Sequence, residues 1–332
     1  MIEIWKRTEL EKLLRKYELH LSKARGQNFL IDKNVLDKIA RGAEIAPDDH
    51  VVEIGPGAGA LTVRLAQEAG RVTAVEIDGR LLPVLSEVTE GLANIAVIHD
   101  DFLKTDLREI TAGVAGVSSV TGVTGETGVG GVADVADVAS MAGMAGVAGM
   151  TDVVGMADVA GGGRFKLVGN LPYNITTPVI AKVFEPGPDG LRTVLPSLMV
   201  FMVQKEVAER LLSPPGKKTY GAVSVLMQYY AEAELLFEVS REVFVPRPNV
   251  DSAVIRLMPR DLSADDPVVA SRMFRLVRAG FDMRRKILRN SLARAGFPEE
   301  ELLAALKASG IDPSRRAETL SPRDFYTLAA AL

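Results

Sequence analysis

Several short stretches carry side chains suited to holding a nitrogen heterocycle. Val168-Gly169-Asn170-Leu171-Pro172-Tyr173-Asn174 puts an amide, a rigid proline and an aromatic ring directly after an apolar run. The Asn170 carbonyl oxygen is suited to accept from an exocyclic amine such as adenine N6, and Tyr173 offers a π-face on which a base stacks. Gly55-Pro56-Gly57-Ala58-Gly59 follows another apolar run and lets backbone approach a ligand closely. Glu76 and Asp78 follow about 20 residues later, a spacing suited to ribose hydroxyls. Gly55-x-Gly57-x-x-Ala60 also satisfies the dinucleotide fingerprint in its G/A form, so the glycines alone do not separate NAD from S-adenosylmethionine. Asp101, after a third apolar run, is read as accepting from the amine of a cofactor adenine in preference to capping a helix. Asn28, in Arg25-Gly26-Gln27-Asn28-Phe29-Leu30, either binds a ligand or caps the helix that follows. Phe244, in Val243-Phe244-Val245-Pro246-Arg247-Pro248, either sandwiches a base against Tyr173 or is an ordinary core aromatic.

These residues need strands to present them, because ligands of open parallel sheets sit outside the carboxyl ends of the strands. Apolar runs predict strands at 50–54, 71–77, 95–98, 165–168, 197–203, 234–239 and 250–257. Helices are predicted at 60–69, 176–183, 204–212 and 221–230, which makes the chain α/β. From about residue 263 the pattern is helical only. Near the start, Leu10, Leu13, Leu14, Tyr17 and Leu21 share one face of a predicted helix over 8–21, with Thr8 and Glu11 at capping-box spacing. Its many basic residues are read as a solvated face, with RNA contact the lesser reading. Residues 111–163 are a low-complexity insertion of small and aliphatic residues, read as a surface excursion. The expected organisation is a basic helical extension over 1–24, an α/β domain over 25–262 interrupted by that insertion, and a helical domain over 263–332.

The chain has no cysteine, and His20, His50 and His99 lack ligand spacing, so no metal site is expected. No apolar run reaches transmembrane length and the first residues are charged, which predicts a cytoplasmic protein without membrane attachment. The net charge of −4 argues against a nucleic-acid partner only at first sight, because the insertion holds five acids and no base, and without it the balance is +1. Eight basic residues between Arg272 and Arg294 face the single acid Asp282. Arg278, Arg285 and Arg289 share a face if one helix runs through them, and phosphate binding is the expected role.

Taken together, Gln27-Asn28-Phe29-Leu30, Val52-Glu53-Ile54-Gly55-Pro56-Gly57, Gly169-Asn170-Leu171-Pro172-Tyr173-Asn174 and Pro248-Asn249-Val250-Asp251-Ser252-Ala253 closely resemble the ribosomal RNA adenine N6,N6-dimethyltransferases. The resemblance is strongest to the bacterial enzymes acting on two adjacent adenines near the 3′ end of 16S rRNA. It implies a class I S-adenosylmethionine-dependent methyltransferase fold, Rossmann-like, with seven mostly parallel strands, an antiparallel hairpin and a small helical C-terminal domain that binds RNA. It further implies that Asn28, Leu30, Gly55, Gly57, Glu76, Asp101 and Asn170 hold S-adenosylmethionine. The target adenine is then received by Asn170, Leu171, Pro172 and Tyr173, with Phe244 beside them. The implied partner is small-subunit rRNA in an assembling particle, met by a monomer.

Rival readings are a large-subunit rRNA dimethyltransferase of the antibiotic-resistance type, a DNA adenine methyltransferase, an NAD-dependent dehydrogenase and a non-catalytic ribosome-assembly factor. Leu171 and Thr176-Thr177-Pro178 favour the small-subunit enzyme, and the intact Asn170 loop argues against lost catalysis.

Overall fold

Val51, Val52, Ile54, Val72, Ala74 and Val75 are all buried, as strands covered on both faces require. In the computed structural model, which describes residues 2–19, 27–111, 165–172, 175–184 and 194–332, they lie on β2 (His50–Ile54) and β3 (Arg71–Glu76). The insertion from residue 112 onward, Tyr173 and Asn174 lie outside the described residues. Parallel pairing adds β4 (Ile95–His99) beside β3, β5 (Phe165–Asn170) beside β2, and β6 (Leu198–Gln204) beside β5. β9 (Ser252–Pro259) runs antiparallel to β6, and β7 (Ala231–Val239) completes the order β4-β3-β2-β5-β6-β9-β7. The chain therefore moves outward from β2 to β4 and returns to the other side of β2, so the order reverses between β2 and β5. Such a switch point opens a crevice at the strand ends.

The register there is tight. Ile54 lies opposite Gly169, and a Cβ on Gly169 would stand 2.9 Å from the Ile54 carbonyl oxygen. Glycine at 169 thus lets β5 lie flush beside β2 and carry Asn170 to the same end of the sheet as the Gly55 turn.

Helices cover the sheet with apolar faces. Leu36 and Ile39 of α2 (Lys33–Gly42) and Leu61 and Leu65 of α3 (Ala60–Ala66) pack in one cluster with Val51, Val72, Val168 and Val200. Leu10, Leu13 and Leu14 of α1 (Arg7–Lys16) pack with Val84 and Val88 of α4 (Leu82–Val88). α1 stops short of the predicted end because Glu18 takes a left-handed φ of 52°, which a helix cannot continue through. A short α5 (Leu107–Thr111) follows β4, and α6 (Thr176–Phe184) follows β5. A two-stranded ribbon pairs β1 (Phe29–Leu30) with β8 (Phe244–Val245).

Residues 209–233 and 259–332 form a second compact unit. It contains the end of α7 (Lys205–Leu211), α8 (Ala222–Tyr230), α9 (Pro267–Asp282), α10 (Leu288–Arg294), α11 (Glu299–Ala308) and α12 (Pro322–Ala331). The composition change near residue 263 points to less than the whole of this unit. Tyr220, Val225 and Tyr229 are buried with Met273, Leu292 and Phe325, and the Tyr220 hydroxyl donates to the Leu320 carbonyl at 2.8 Å. Among the described residues no helix is long and apolar enough to cross a membrane.

Candidate active site

Strands β2 to β5 deliver their next residues to one end of the sheet, where a cavity of about 780 Å³ opens. Its lining brings together Asn28, Leu30, Gly55, Gly57, Glu76, Asp101, Asn170, Leu171 and Pro172 from segments scattered over the sequence.

The glycine turn and the acid at the end of β3 form one hydrogen-bonded unit. Gly57 has a left-handed φ of 59°, and its amide donates to Glu76 Oε2 at 3.0 Å. The Asp78 amide donates to Glu76 Oε1 at 2.8 Å, so both carboxylate oxygens are fixed by backbone. Glu76 is buried, and burial pushes its carboxyl up to about 7. Asp78 behaves in the opposite way: hydrogen bonds from the Arg80 guanidinium hold it down at about 2. Gln27 Nε2 also donates to Asp78 at 2.8 Å and ties the Asn28 segment to the end of β3.

Asn28 is not the cap of the helix that follows it. α2 is capped by Asp32, whose side chain accepts from the Val35 amide at 3.1 Å. The Asn28 carbonyl instead accepts from Asn170 Nδ2 at 3.0 Å. With its NH₂ engaged there, Asn170 keeps its carbonyl oxygen as an acceptor for another group. The Leu171 amide donates to the Met202 carbonyl of β6 at 3.1 Å, which fixes the backbone just after Asn170. Asp101 both closes its own turn, accepting from the Leu103 amide at 3.0 Å, and lines the cavity, with Lys104 Nζ 3.9 Å away.

Phe244 is not among the lining residues. It is 2% exposed, lies opposite Leu30 in the β1–β8 ribbon and packs in the core with Leu36 and Val254. Its partner in the expected sandwich, Tyr173, falls outside the described residues. The stacking role therefore rests on the sequence alone.

Two lining residues were not singled out from the sequence. Glu53 is fully enclosed, one of its oxygens has no hydrogen-bond partner, and burial pushes its carboxyl up to about 8. A charged residue inside the otherwise apolar buried run Val51–Ile54 was the available signal. Ile77 is 66% exposed at the cavity wall and offers an apolar face beside Glu76. Only its place directly after a strand-end acid marks it in the sequence.

In the helical unit the expected single arginine face is not formed. α9 ends at Asp282, Met283 leaves helical geometry, and α10 begins only at Leu288. Arg278 is on α9, Arg285 is in the break, and Arg289 is on α10, paired to Glu299 at 3.0 Å. Arg272 and Arg284 are spent on backbone carbonyls, of Ala329 and of Lys218 and Tyr220. Arg278, Arg285 and Lys286 are exposed and make no ion pair among the described residues.

The model of a family described as ribosomal RNA adenine dimethylase matches residues 19–332. The ribosomal RNA small subunit methyltransferase A of Pelotomaculum thermopropionicum is 40% identical over 331 residues, covering 99% of this chain and 97% of its own length. The protein of the same name from Geobacillus kaustophilus is 41% identical, covering 97% and 94%. The crystal structure of the 23S rRNA methyltransferase ErmE is similar at a TM-score of 0.61 and 26% identity, covering 92% of this chain and 99% of that one. That of a dimethyladenosine transferase from Plasmodium falciparum has a TM-score of 0.63 at 24% identity over 90% of this chain and 95% of that one, a likeness of fold. The sheet order and these likenesses identify a class I S-adenosylmethionine-dependent methyltransferase fold.

Proposed function

The chain belongs to the ribosomal RNA adenine dimethylase family, and from that premise we propose that it dimethylates N6 of two adjacent adenines in the 3′-terminal hairpin of 16S rRNA. The methyl donor is S-adenosylmethionine, which supplies an activated sulfonium methyl when bound. The relatives' shared small-subunit name, at about 40% identity over nearly the whole chain, favours this over a large-subunit substrate.

The chain's own residues supply position and polarity. Glu76 offers a carboxylate fixed at both oxygens for ribose hydroxyls, Ile77 an apolar face for an adenine ring, and Asp101 an acceptor for its amine. Asn28, Leu30, Gly55 and Gly57 bound the same cavity with backbone and small side chains. The target base has to leave its stack to enter, as for other base-modifying enzymes. Its N6 is a poor nucleophile because the lone pair is delocalised into the ring. Acceptors at the Asn170 carbonyl and the Leu171 backbone carbonyl draw on the N6 hydrogens and weaken that conjugation, Pro172 stiffens the loop, and Tyr173 holds the ring, while Phe244 stays in the core beneath the Asn28 segment. After one transfer N6 still carries a hydrogen, which permits a second. Arg278, Arg285 and Arg289 grip phosphates. The protein acts as a cytoplasmic monomer on an assembling small-subunit particle.

The observation that supports this reading is the hydrogen bond from Asn170 Nδ2 to the Asn28 carbonyl, which engages the amide NH₂ and leaves the Asn170 carbonyl oxygen as an acceptor in a cavity that the glycine turn also lines. Mass spectrometry of small-subunit rRNA incubated with protein and S-adenosylmethionine should find N6,N6-dimethyladenosine. Asn170→Ala should lower single-turnover methyl transfer roughly 100- to 1,000-fold, the loss typical of a preorganised polar group. Near-normal transfer by this variant would refute the assignment.

A further inference from the structure

α1 lies ahead of residue 19, where the family match begins, yet it is built into the wall of the cavity. Ile4, just before α1, and Leu10 on it are each 1% exposed. They share an apolar cluster with Phe29, Ala58 and Leu81, and all five residues also line the cavity. Ala58 is inside the glycine turn and Leu81 follows Asp78, so the surface on which α1 is seated is the back of the wall that faces a ligand. One polar contact holds α1 at its far end: Glu87 Oε2 on α4 accepts from Lys16 Nζ at 2.6 Å and from the Tyr17 hydroxyl at 2.5 Å. Three other basic residues of the segment are met by acids close in sequence, Lys6 by Glu3, Arg7 by Glu11 and Lys12 by Glu9. These three pairs are exposed, so among the described residues the one contact that ties α1 to another element through charge is the one at Glu87.

We propose that α1 is a working part of the methyl-donor site, its docking coupled to cofactor binding through Ile4, Leu10 and the Glu87 contact. This rests on the reading of the cavity as that site. A ligand that fills the cavity presses on Phe29, Ala58 and Leu81 from inside, and these side chains yield less when α1 is seated behind them. The donor therefore binds the docked form better, and by reciprocity holds α1 in place. Ile4 and Leu10 act as positioning residues, since nearly all of their surface is turned away from the cavity.

Hydrogen exchange of the full chain tests this, read over residues 7–16 with and without saturating S-adenosylhomocysteine, alongside a calorimetric titration. Exchange should slow roughly 5- to 150-fold on saturation, the usual range of coupling between sites. Glu87→Gln should weaken S-adenosylhomocysteine binding by a factor within the same range and speed its dissociation. If the unaltered protein does not bind S-adenosylhomocysteine, the reading of the cavity fails and this proposal with it. If binding is normal but exchange of α1 is indifferent to it, and Glu87→Gln binds as the parent does, the coupling is overturned while the site stands.

Discussion

Around the cavity, Glu53, Glu76, Asp78 and Asp101 stand at or beside strand ends, and Glu76 and Asp78 are clamped by named donors. Along Arg272–Arg294 the cations divide instead into those spent on internal partners and those, Arg278, Arg285, Lys286 and Arg294, that are exposed and without an ion pair among the described residues. The contrast separates two kinds of recognition. Buried, orientation-locked carboxylates discriminate between ligands, because a wrong partner leaves them unpaired in a low-dielectric site. Exposed guanidinium groups on flexible stems attract any phosphate and are weakened by salt.

The sharpest way to break this contrast is at Glu76. Glu76→Gln keeps the shape but turns a donor toward one of two backbone amides that need an acceptor. S-adenosylhomocysteine affinity should fall roughly 10- to 100-fold, the size of a lost hydrogen bond to a charged group. Unchanged affinity by calorimetry would mean that the acid braces the glycine turn and does not read ribose.

A smaller effect is expected on stability against pH. Burial pushes Glu53 up to about 8 and Glu76 up to about 7, from 4.5. A carboxyl raised on folding binds more protons in the native state, so its contribution is full below 4.5 and is lost as pH rises through the folded value. His50, held near 4 by burial, acts in the opposite sense, but only up to 6.5, where the unfolded imidazole titrates. Between about pH 6.5 and 8, therefore, the protein without added cofactor should lose stability, by at most about 1.4 kcal/mol per pH unit for each carboxyl. Denaturant titrations across that window measure it. Glu53→Gln should flatten the slope, and a stability that rises over the same window would contradict the assignment.

The mildest effect is expected in the helical unit. Arg278→Ala and Arg285→Ala should each lower the salt slope of RNA binding by roughly 0.7–0.9. Arg289→Ala should change it less, because Glu299 already engages that guanidinium. S-adenosylhomocysteine binding is the control and should stay constant. Equal slopes for all three variants and the parent would place the RNA grip elsewhere.

The strands that carry the site were legible because β-branched runs ended in glycine or in a polar residue: His50–Ile54 was predicted residue for residue, and β3, β4 and β6 to within one or two. The acid at the end of β3 was legible for the same reason. What could not be read was three-dimensional. Nothing local in Glu53 says that it is enclosed, nor does Phe244 reveal that its ring is inside the core. The break after Asp282 is not marked by glycine or proline: Met283-Arg284-Arg285-Lys286-Ile287 has ordinary helix-forming residues, and tertiary packing overrides them. The helical unit's claim on residues 209–233 was hidden because a strand, β7, follows directly and completes the sheet.

The register at the switch point has a kinetic side. Ile54 meets Val75 of β3 across 21 residues of chain, but meets Gly169 of β5 across 115. Closing the longer loop costs roughly 1.5 kcal/mol more in chain entropy if both are treated as free coil. Pairing of β2 with β3 and β4 is thus expected early, and the join to β5 late. The seam that forms last is the one that brings Asn170 beside the glycine turn, so in a refolding experiment sheet structure should appear before the capacity to bind nucleoside. A chain emerging from the ribosome has the Gly55 turn long before it has Asn170, and it gains the means to modify rRNA only after most of its sheet has been made.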